Sequence, residues 1–373
     1  MITKTMCILF SESYSAASNE LAEGRTLATV PFGGRYRLID FALSSLVKAQ
    51  VANIGVVTKD NYGSLVDHLG SGRDWDLARR KGGLKILTPF VKPENAISRN
   101  RSKIDALLSC RMYLEENNEE YVILADTNVV MNIDFRAMVE YHAEKGADIT
   151  LVYQNINDPA YNGMVVDCDR NSQVIDAYYS ASEASESKSA LLKVFIFNKS
   201  LLLSLLDRAY TFGWTDFDRD FITKNIAKLN IFGYEHKGYA AVINTITDYY
   251  TASMELIGSA DIRNELFNSD TPLLTRVKNS PPTIYGFGGK VHNSLIADGC
   301  VIDGEVNNCI IFRDVEIKKG AVLNNCIIIQ GSVIEPGAQL NCVIADKNVV
   351  VEAEHTLSGY PTYPFVISKG QRV

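Results

Sequence analysis

Up to about residue 255, short apolar runs alternate with amphipathic segments. The runs at 6–10, 53–57, 121–125, 149–153 and 191–198 predict buried strands. The segments 36–49, 104–116 and 135–144 predict helices. In the second of these, Ile104, Leu107, Leu108, Met112 and Tyr113 fall at helical spacing. Strand and helix in alternation imply an α/β fold, Rossmann-like, with a mostly parallel sheet and helices on both faces. Such sheets hold their ligands at the carboxyl ends of the strands. Residues 180–190 are small, polar and serine-rich, and predict a surface loop.

After Ile257 the rhythm changes. Asn279-Ser-Pro-Pro282 closes a linker, and from Ile284 to Val351 the apolar residues come in short steps broken by Gly, Asp and Asn. Ile296-Ala-Asp-Gly-Cys-Val-Ile-Asp-Gly304, Val315-Glu-Ile-Lys-Lys-Gly-Ala-Val322 and Val333-Ile-Glu-Pro-Gly-Ala338 repeat at nearly six residues. That is a hexapeptide repeat, the pattern of a β-helix. A branched apolar residue points inward on each side of the coil, and Gly or Asn takes the corner. Cys309, Cys326 and Cys342 are expected to stack in that interior rather than to react.

Composition narrows the function. The chain has 373 residues, 46% hydrophobic and 22% charged, which excludes disorder and suggests two domains. Its net charge of −7 argues against a general nucleic-acid surface. The seven cysteines form no C-x-x-C, so neither a zinc knuckle nor a disulfide framework is readable, and the five histidines have no ligand spacing. No metal site is expected. The first residues lack the apolar core of a signal peptide, and no stretch approaches the ~18 apolar residues of a membrane helix. A reducing cytoplasm is the expected setting, without membrane attachment.

The most specific stretch is Val30-Pro-Phe-Gly-Gly-Arg-Tyr-Arg-Leu-Ile-Asp-Phe-Ala-Leu-Ser-Ser45. Together with His68-Leu-Gly-Ser-Gly-Arg-Asp-Trp-Asp-Leu77 and Asp248-Tyr-Tyr-Thr-Ala-Ser-Met-Glu-Leu256, it resembles the sugar-nucleotide pyrophosphorylases, most closely the ADP-glucose pyrophosphorylases (glucose-1-phosphate adenylyltransferases). The resemblance spans nearly the whole chain. It implies a nucleotidyltransferase domain over 1–257, a linker over 258–283, and a left-handed parallel β-helix over 284–373. The family's reaction joins glucose 1-phosphate to the α-phosphate of ATP and releases pyrophosphate. It requires backbone N–H groups that cradle phosphate, cations that offset developing charge, and carboxylates that hold Mg²⁺.

Against each need this chain departs from the family pattern. The glycine-rich loop, L-A-G-G-x-G-x-R-L, is met by Phe10-Ser-Glu-Ser-Tyr-Ser-Ala-Ala-Ser-Asn-Glu20, with no glycine before Gly24. In the following R-A-K-P-A-V-P stretch the Arg is kept as Arg25, while Leu27 stands for the phosphate-side Lys. Asp126 matches one metal-binding Asp, and Val242 stands where the second would be. Ser180 falls at the glucose-phosphate Lys. Arg25 and Asp126 are thus remnants of the catalytic set, or else a solvated loop cation and a strand-end cap. Arg37 matches an effector-phosphate Arg of the family, with Arg35 beside it. The rival reading for Arg37 is a structural ion pair with Asp40. Basic β-helix residues that would complete an effector site are not evident, since Glu335 and Gln339 stand in that region.

The losses resemble those of non-catalytic, GlgD-type subunits of the family. The resemblance implies a regulatory subunit in glycogen biosynthesis with little activity alone and no cofactor of its own, Mg²⁺ belonging to the catalytic partner. The expected partner is a catalytic ADP-glucose pyrophosphorylase subunit in a heterotetramer, with a phosphorylated effector or sugar nucleotide as ligand. Three alternatives stay open: an active adenylyltransferase with displaced ligands such as Glu12 or Asp248, a hexapeptide-repeat acyltransferase using His292 or His355, and a stand-alone sugar-nucleotide sensor.

Overall fold

The computed structural model describes residues 2–12, 20–59, 61–88, 102–158, 161–180, 187–267 and 272–373. The chain packs as two units: Met1–Ser15 with Phe41–Ala240, and Ala16–Asp40 with Ala241–Val373.

The first unit is built on one sheet. Its strands are β1 (Thr5–Phe10), β2 (Asn53–Val57), β3 (Gly83–Leu87), β4 (Tyr121–Asp126), β5 (Ile149–Ile156), β6 (Met164–Cys168), β7 (Val174–Tyr179), β8 (Lys188–Asn198) and β9 (Ile231–Glu235). The order is β7-β6-β8-β4-β1-β2-β3, with β5 pairing to β8 and β9 to β5. The run β3-β2-β1-β4 is parallel, and β8 joins β4 antiparallel. β1 is buried at every position, as a central strand covered on both faces must be. Phe10, its last residue, lies opposite Asp126 of β4 and Val57 of β2, so the three carboxyl ends are level.

Several elements differ from the sequence expectation. The helix expected over 104–116 is two helices, Lys103–Ser109 and Arg111–Glu116, broken at Cys110 with φ −98° and ψ 8°. The break turns the second helix, so Met112 is 67% exposed and Tyr113 and Leu114 carry its apolar contact. The helix expected from residue 36 starts at Leu38. Tyr36–Arg37 instead pair with Pro31–Phe32 across Gly33 and Gly34, whose φ values of 62° and 86° suit glycine. Part of the loop expected at 180–190, residues 181–186, lies outside the described residues, as do residues 13–19 of the glycine-poor loop.

The second unit contains the left-handed β-helix. Fifteen short strands from Ile284 to Ile367 form three parallel five-stranded sheets, one for each side of the coil. Glu305 pairs with Lys290 on one side and Val322 on the other, so successive coils are offset by 15 or 17 residues. Cys300, Ile302, Val306, Cys309, Ile311, Val315, Leu323, Cys326 and Ile328 fill the interior. Cys342 is buried too, but its φ of 50° puts it in a corner column with Asn293, Asn308 and Asn325. Those asparagines bond to one another from coil to coil: the Asn293 amide donates to Asn308 at 2.8 Å.

This unit also claims residues that the sequence assigned to the first domain and the linker. Helix Ile246–Gly258 gives the Tyr249 hydroxyl to Pro31 O at 2.8 Å and the Tyr250 hydroxyl to Asn325 O at 2.7 Å. Tyr36 stacks on Phe267 at 5.2 Å, and Ala260–Leu266, inside the expected linker, is helical.

Candidate functional site

In the first unit the polar cluster begins with a helix cap. The Ser102 hydroxyl accepts the Asp105 N–H at 3.1 Å and starts the helix so that Lys103 is its first residue. A cation there opposes the helix dipole, so helix energetics do not account for it. Its partner does: Lys103 Nζ lies 2.6 Å from Asp126 Oδ1, with the two side chains 8% and 4% exposed. Around the ammonium stand the rings of Phe10, Phe217 and Phe195, at 5.0, 5.3 and 5.8 Å. Asp218 accepts the Tyr179 hydroxyl at 3.2 Å. Burial pushes the Asp218 carboxyl up, Lys103 and Lys193 pull it back, and Asp126 adds to the rise. Lys193 sits in a bulge of β8, where pairing with β5 slips between Leu191 and Phe195. Its φ of 53° is left-handed, unusual for a residue with a side chain.

The sequence reading singled out Asp126 but missed Lys103, Lys193, Tyr179 and Asp218. They come from four separate segments, and only the sheet order brings them together. Ser180, the position aligned to the glucose-phosphate Lys, is buried at the end of β7.

Mg²⁺, which the family resemblance implies, does not fit the donors present. Asp126 Oδ1 is held by an ammonium, and Val242 offers no side-chain oxygen. Asp248, a candidate displaced ligand, is spent on a helix cap: its carboxylate accepts the Thr245 N–H at 2.8 Å while the Thr245 hydroxyl accepts the Asp248 N–H at 3.1 Å. Among the described residues no group of three His, Cys, Asp or Glu side chains could hold a metal ion.

In the second unit, cations gather. Arg25 is buried, not a solvated loop residue: it bonds Asp346 at 2.6 Å and donates Nε–H to Leu21 O at 2.5 Å. Leu27 is buried in the short turn that follows. Arg313, also buried, bonds Asp298 at 3.0 Å. The Arg35 guanidinium lies 5.8 Å from the centre of the Tyr36 ring. Asp40, fully buried, accepts the backbone N–H of Arg37 at 2.9 Å. That bond caps the helix that follows through the main chain.

Two lysines report the crowding. Burial lowers Lys347 to about 7, helped by the charges of Arg37, Arg25 and Lys278 and opposed by Asp346. Burial, then Arg313, Arg37 and Arg276, lower Lys278, against Asp314. Such a group of cations favours an anion of high charge, phosphate above all.

Sequence reading located Arg35 and Arg37 here but not Arg313 or Lys347, and looked to Glu335 and Gln339 instead. The coil register was the available signal. Arg313, Gln330 and Lys347 take the same corner position 17 residues apart, with the N–H groups of Gly331 and Asn348 bonding Arg313 O and Gln330 O. His292 and His355 are exposed, and His355 Nδ1 lies 3.2 Å from the nearby Ala353 O. No helix is long and apolar enough to cross a membrane among the described residues.

A nucleotidyl transferase family model matches residues 21–253, and a GlmU-like C-terminal hexapeptide model matches residues 284–360. The glycogen biosynthesis protein GlgD of Bacillus subtilis (strain 168) is 36% identical over 365 residues, covering 97% of this chain and 95% of that protein. GlgD of Geobacillus stearothermophilus is 35% identical, covering 99% and 97%. The glucose-1-phosphate adenylyltransferase of Thermosipho africanus (strain TCF52B) is 30% identical, covering 81% and 74%.

Proposed function

Because this chain belongs to the nucleotidyl transferase family that includes the GlgD glycogen biosynthesis proteins and the glucose-1-phosphate adenylyltransferases, we propose that it serves glycogen biosynthesis as a regulatory, catalytically impaired subunit of glucose-1-phosphate adenylyltransferase. It pairs with a catalytic homologue in a cytoplasmic hetero-oligomer, and its second unit takes a phosphorylated effector. The observation that carries this reading is the group of Arg37, Lys278, Arg313 and Lys347, in which burial first and the neighbouring cations Arg37, Arg25 and Lys278 second bring Lys347 to about 7. A phosphate there relieves cation–cation repulsion, so binding is coupled to the packing of the unit that holds it.

The impairment follows from residues. Leu27 cannot donate to a phosphate oxygen, Val242 cannot hold a metal, and Ser180 lacks the reach and charge of a Lys. Loss of one charge-stabilising donor commonly costs on the order of 10²–10³ in rate. Several such losses leave little turnover.

The test is direct. The chain is purified alone and with its catalytic homologue, mass is measured by light scattering, and ADP-glucose formation is followed with Mg²⁺, ATP and glucose 1-phosphate. A silent isolated chain, a mixed oligomer and an altered effector response are expected. Turnover by the isolated chain near the ~10 s⁻¹ typical of enzymes would falsify the reading.

A further inference from the structure

We infer that Lys103 is a tethered ammonium in the place of a divalent cation, and that it makes the carboxyl-end crevice of the first unit a closed site that excludes metal.

The position of the cluster comes first. In open α/β sheets the ligand crevice lies just beyond the carboxyl ends of the parallel strands. Asp126 and Phe10 are the last residues of β4 and β1, paired side by side at that edge. The Lys103 ammonium meets Asp126 there at 2.6 Å, with Phe10, Phe195 and Phe217 around it and all three phenyl rings buried. A crevice that bound a hydrated metal and a polyphosphate would be open and wet. This one is filled by aromatic carbon and a primary amine.

Charge gives the second argument. The cluster holds two carboxylates, Asp126 and Asp218, and two ammonium groups, Lys103 and Lys193, each lysine acting on Asp218. Formal charges cancel without an ion. A divalent cation would add two positive charges beside the buried Lys103 and the half-buried Lys193, where repulsion is strong. The left-handed φ of 53° at Lys193 is a third, independent sign. A lysine stands in a backbone conformation that glycine takes more easily, and its charge acts on Asp218.

Asp126 Oδ1 accepts no aligned hydrogen bond among the described residues, and the Lys103 ammonium lies 2.6 Å from it. Taking the ammonium away leaves Oδ1 of the buried Asp126 carboxylate without that partner, with the charge of Asp218 acting nearby. That pair is what a hard cation seeks. The inference stands apart from the regulatory reading, since its readout is metal binding and not activity, effector response or assembly.

The experiment titrates the full chain with Mn²⁺ alone, by electron paramagnetic resonance of the free ion, at mildly alkaline pH. Wild type is compared with Asp126→Asn, Lys103→Met and the double variant Lys103→Met/Asp126→Asn. Methionine keeps the volume and its contact with the rings, and thermal melts check that the fold is retained. Wild type and Asp126→Asn are expected to give the same curve. Lys103→Met gains a site that the double variant lacks. An opposite charge at this range changes a carboxylate's cation affinity by roughly tenfold or more, so the gain is readable. Mn²⁺ binding by wild type that Asp126→Asn abolishes overturns the inference, and this arm needs no change at Lys103. A folded Lys103→Met that gains no site overturns it equally.

Discussion

Arg25 and Asp346 are 321 positions apart in the chain, yet their side chains meet at 2.6 Å and are 5% and 6% exposed. The pair ties the start of the second unit's chain to a late coil of its β-helix. Either residue alone would be a buried, uncompensated charge. Arg25→Met or Asp346→Leu is therefore expected to cost about 3–5 kcal/mol. The double variant should recover much of that, because no charge is then stranded. Denaturant unfolding of the two single variants and the double variant measures the coupling. Additive losses would show that the two residues do not act as a pair.

Lys347 gives a pH dependence whose sign is fixed. Its folded value, about 7, is below the usual lysine value. Between about 7 and the ordinary value the unfolded chain holds a proton that the folded chain lacks, so this group makes stability rise with pH across that window. Below about 7 both states are charged and the full penalty of burying the cation remains. Anion binding runs the other way, since a bound anion favours charged Lys347. Sulfate, a dianion throughout, should bind more weakly as pH rises from 6.5 to 8.5, with proton uptake seen by calorimetry in buffers of different ionisation enthalpy. Lys347→Met should flatten the dependence. An unchanged slope in that variant would remove Lys347 from the anion site.

Arg37 tests the effector proposal at another point of the same group. Arg37→Ala should shift the effector titration of a mixed oligomer while leaving its mass unchanged. A charge-assisted contact to phosphate contributes about 1.5–3 kcal/mol, or roughly tenfold or more in affinity. Identical titration curves, with assembly preserved, would assign Arg37 to packing alone.

Lys193 separates strain from charge. Lys193→Ala and Lys193→Gly both remove the ammonium that acts on Asp218, but only glycine relaxes a φ of 53°. The alanine variant should be less stable than the glycine variant by about 1 kcal/mol. Equal stability in thermal or chemical unfolding would mean that the bulge carries no strain.

The sequence by itself determined the elements whose signal is local. Buried strands such as Thr5–Phe10 and Tyr121–Asp126 show as apolar runs, and helix Phe135–Glu144 shows its period and ends on the predicted residues. The β-helix repeats its own pattern, and substitutions such as Leu27 and Val242 are visible against a family motif. Tertiary structure decided whatever depends on residues distant in the chain. The partner of Asp126 is Lys103 because sheet order, not sequence spacing, sets the end of β4 against that helix start. The cations around Arg37 include Arg313 and Lys347 because a 17-residue coil register stacks their corner, which a six-residue pattern does not reveal. Residues 16–40 pack with the C-terminal unit because Tyr249, Phe267 and Asp346 offer them buried partners. Periodicity records which face of an element is buried. Which buried charges neutralise one another is set only when the elements pack, because the energy depends on the distance between them in space.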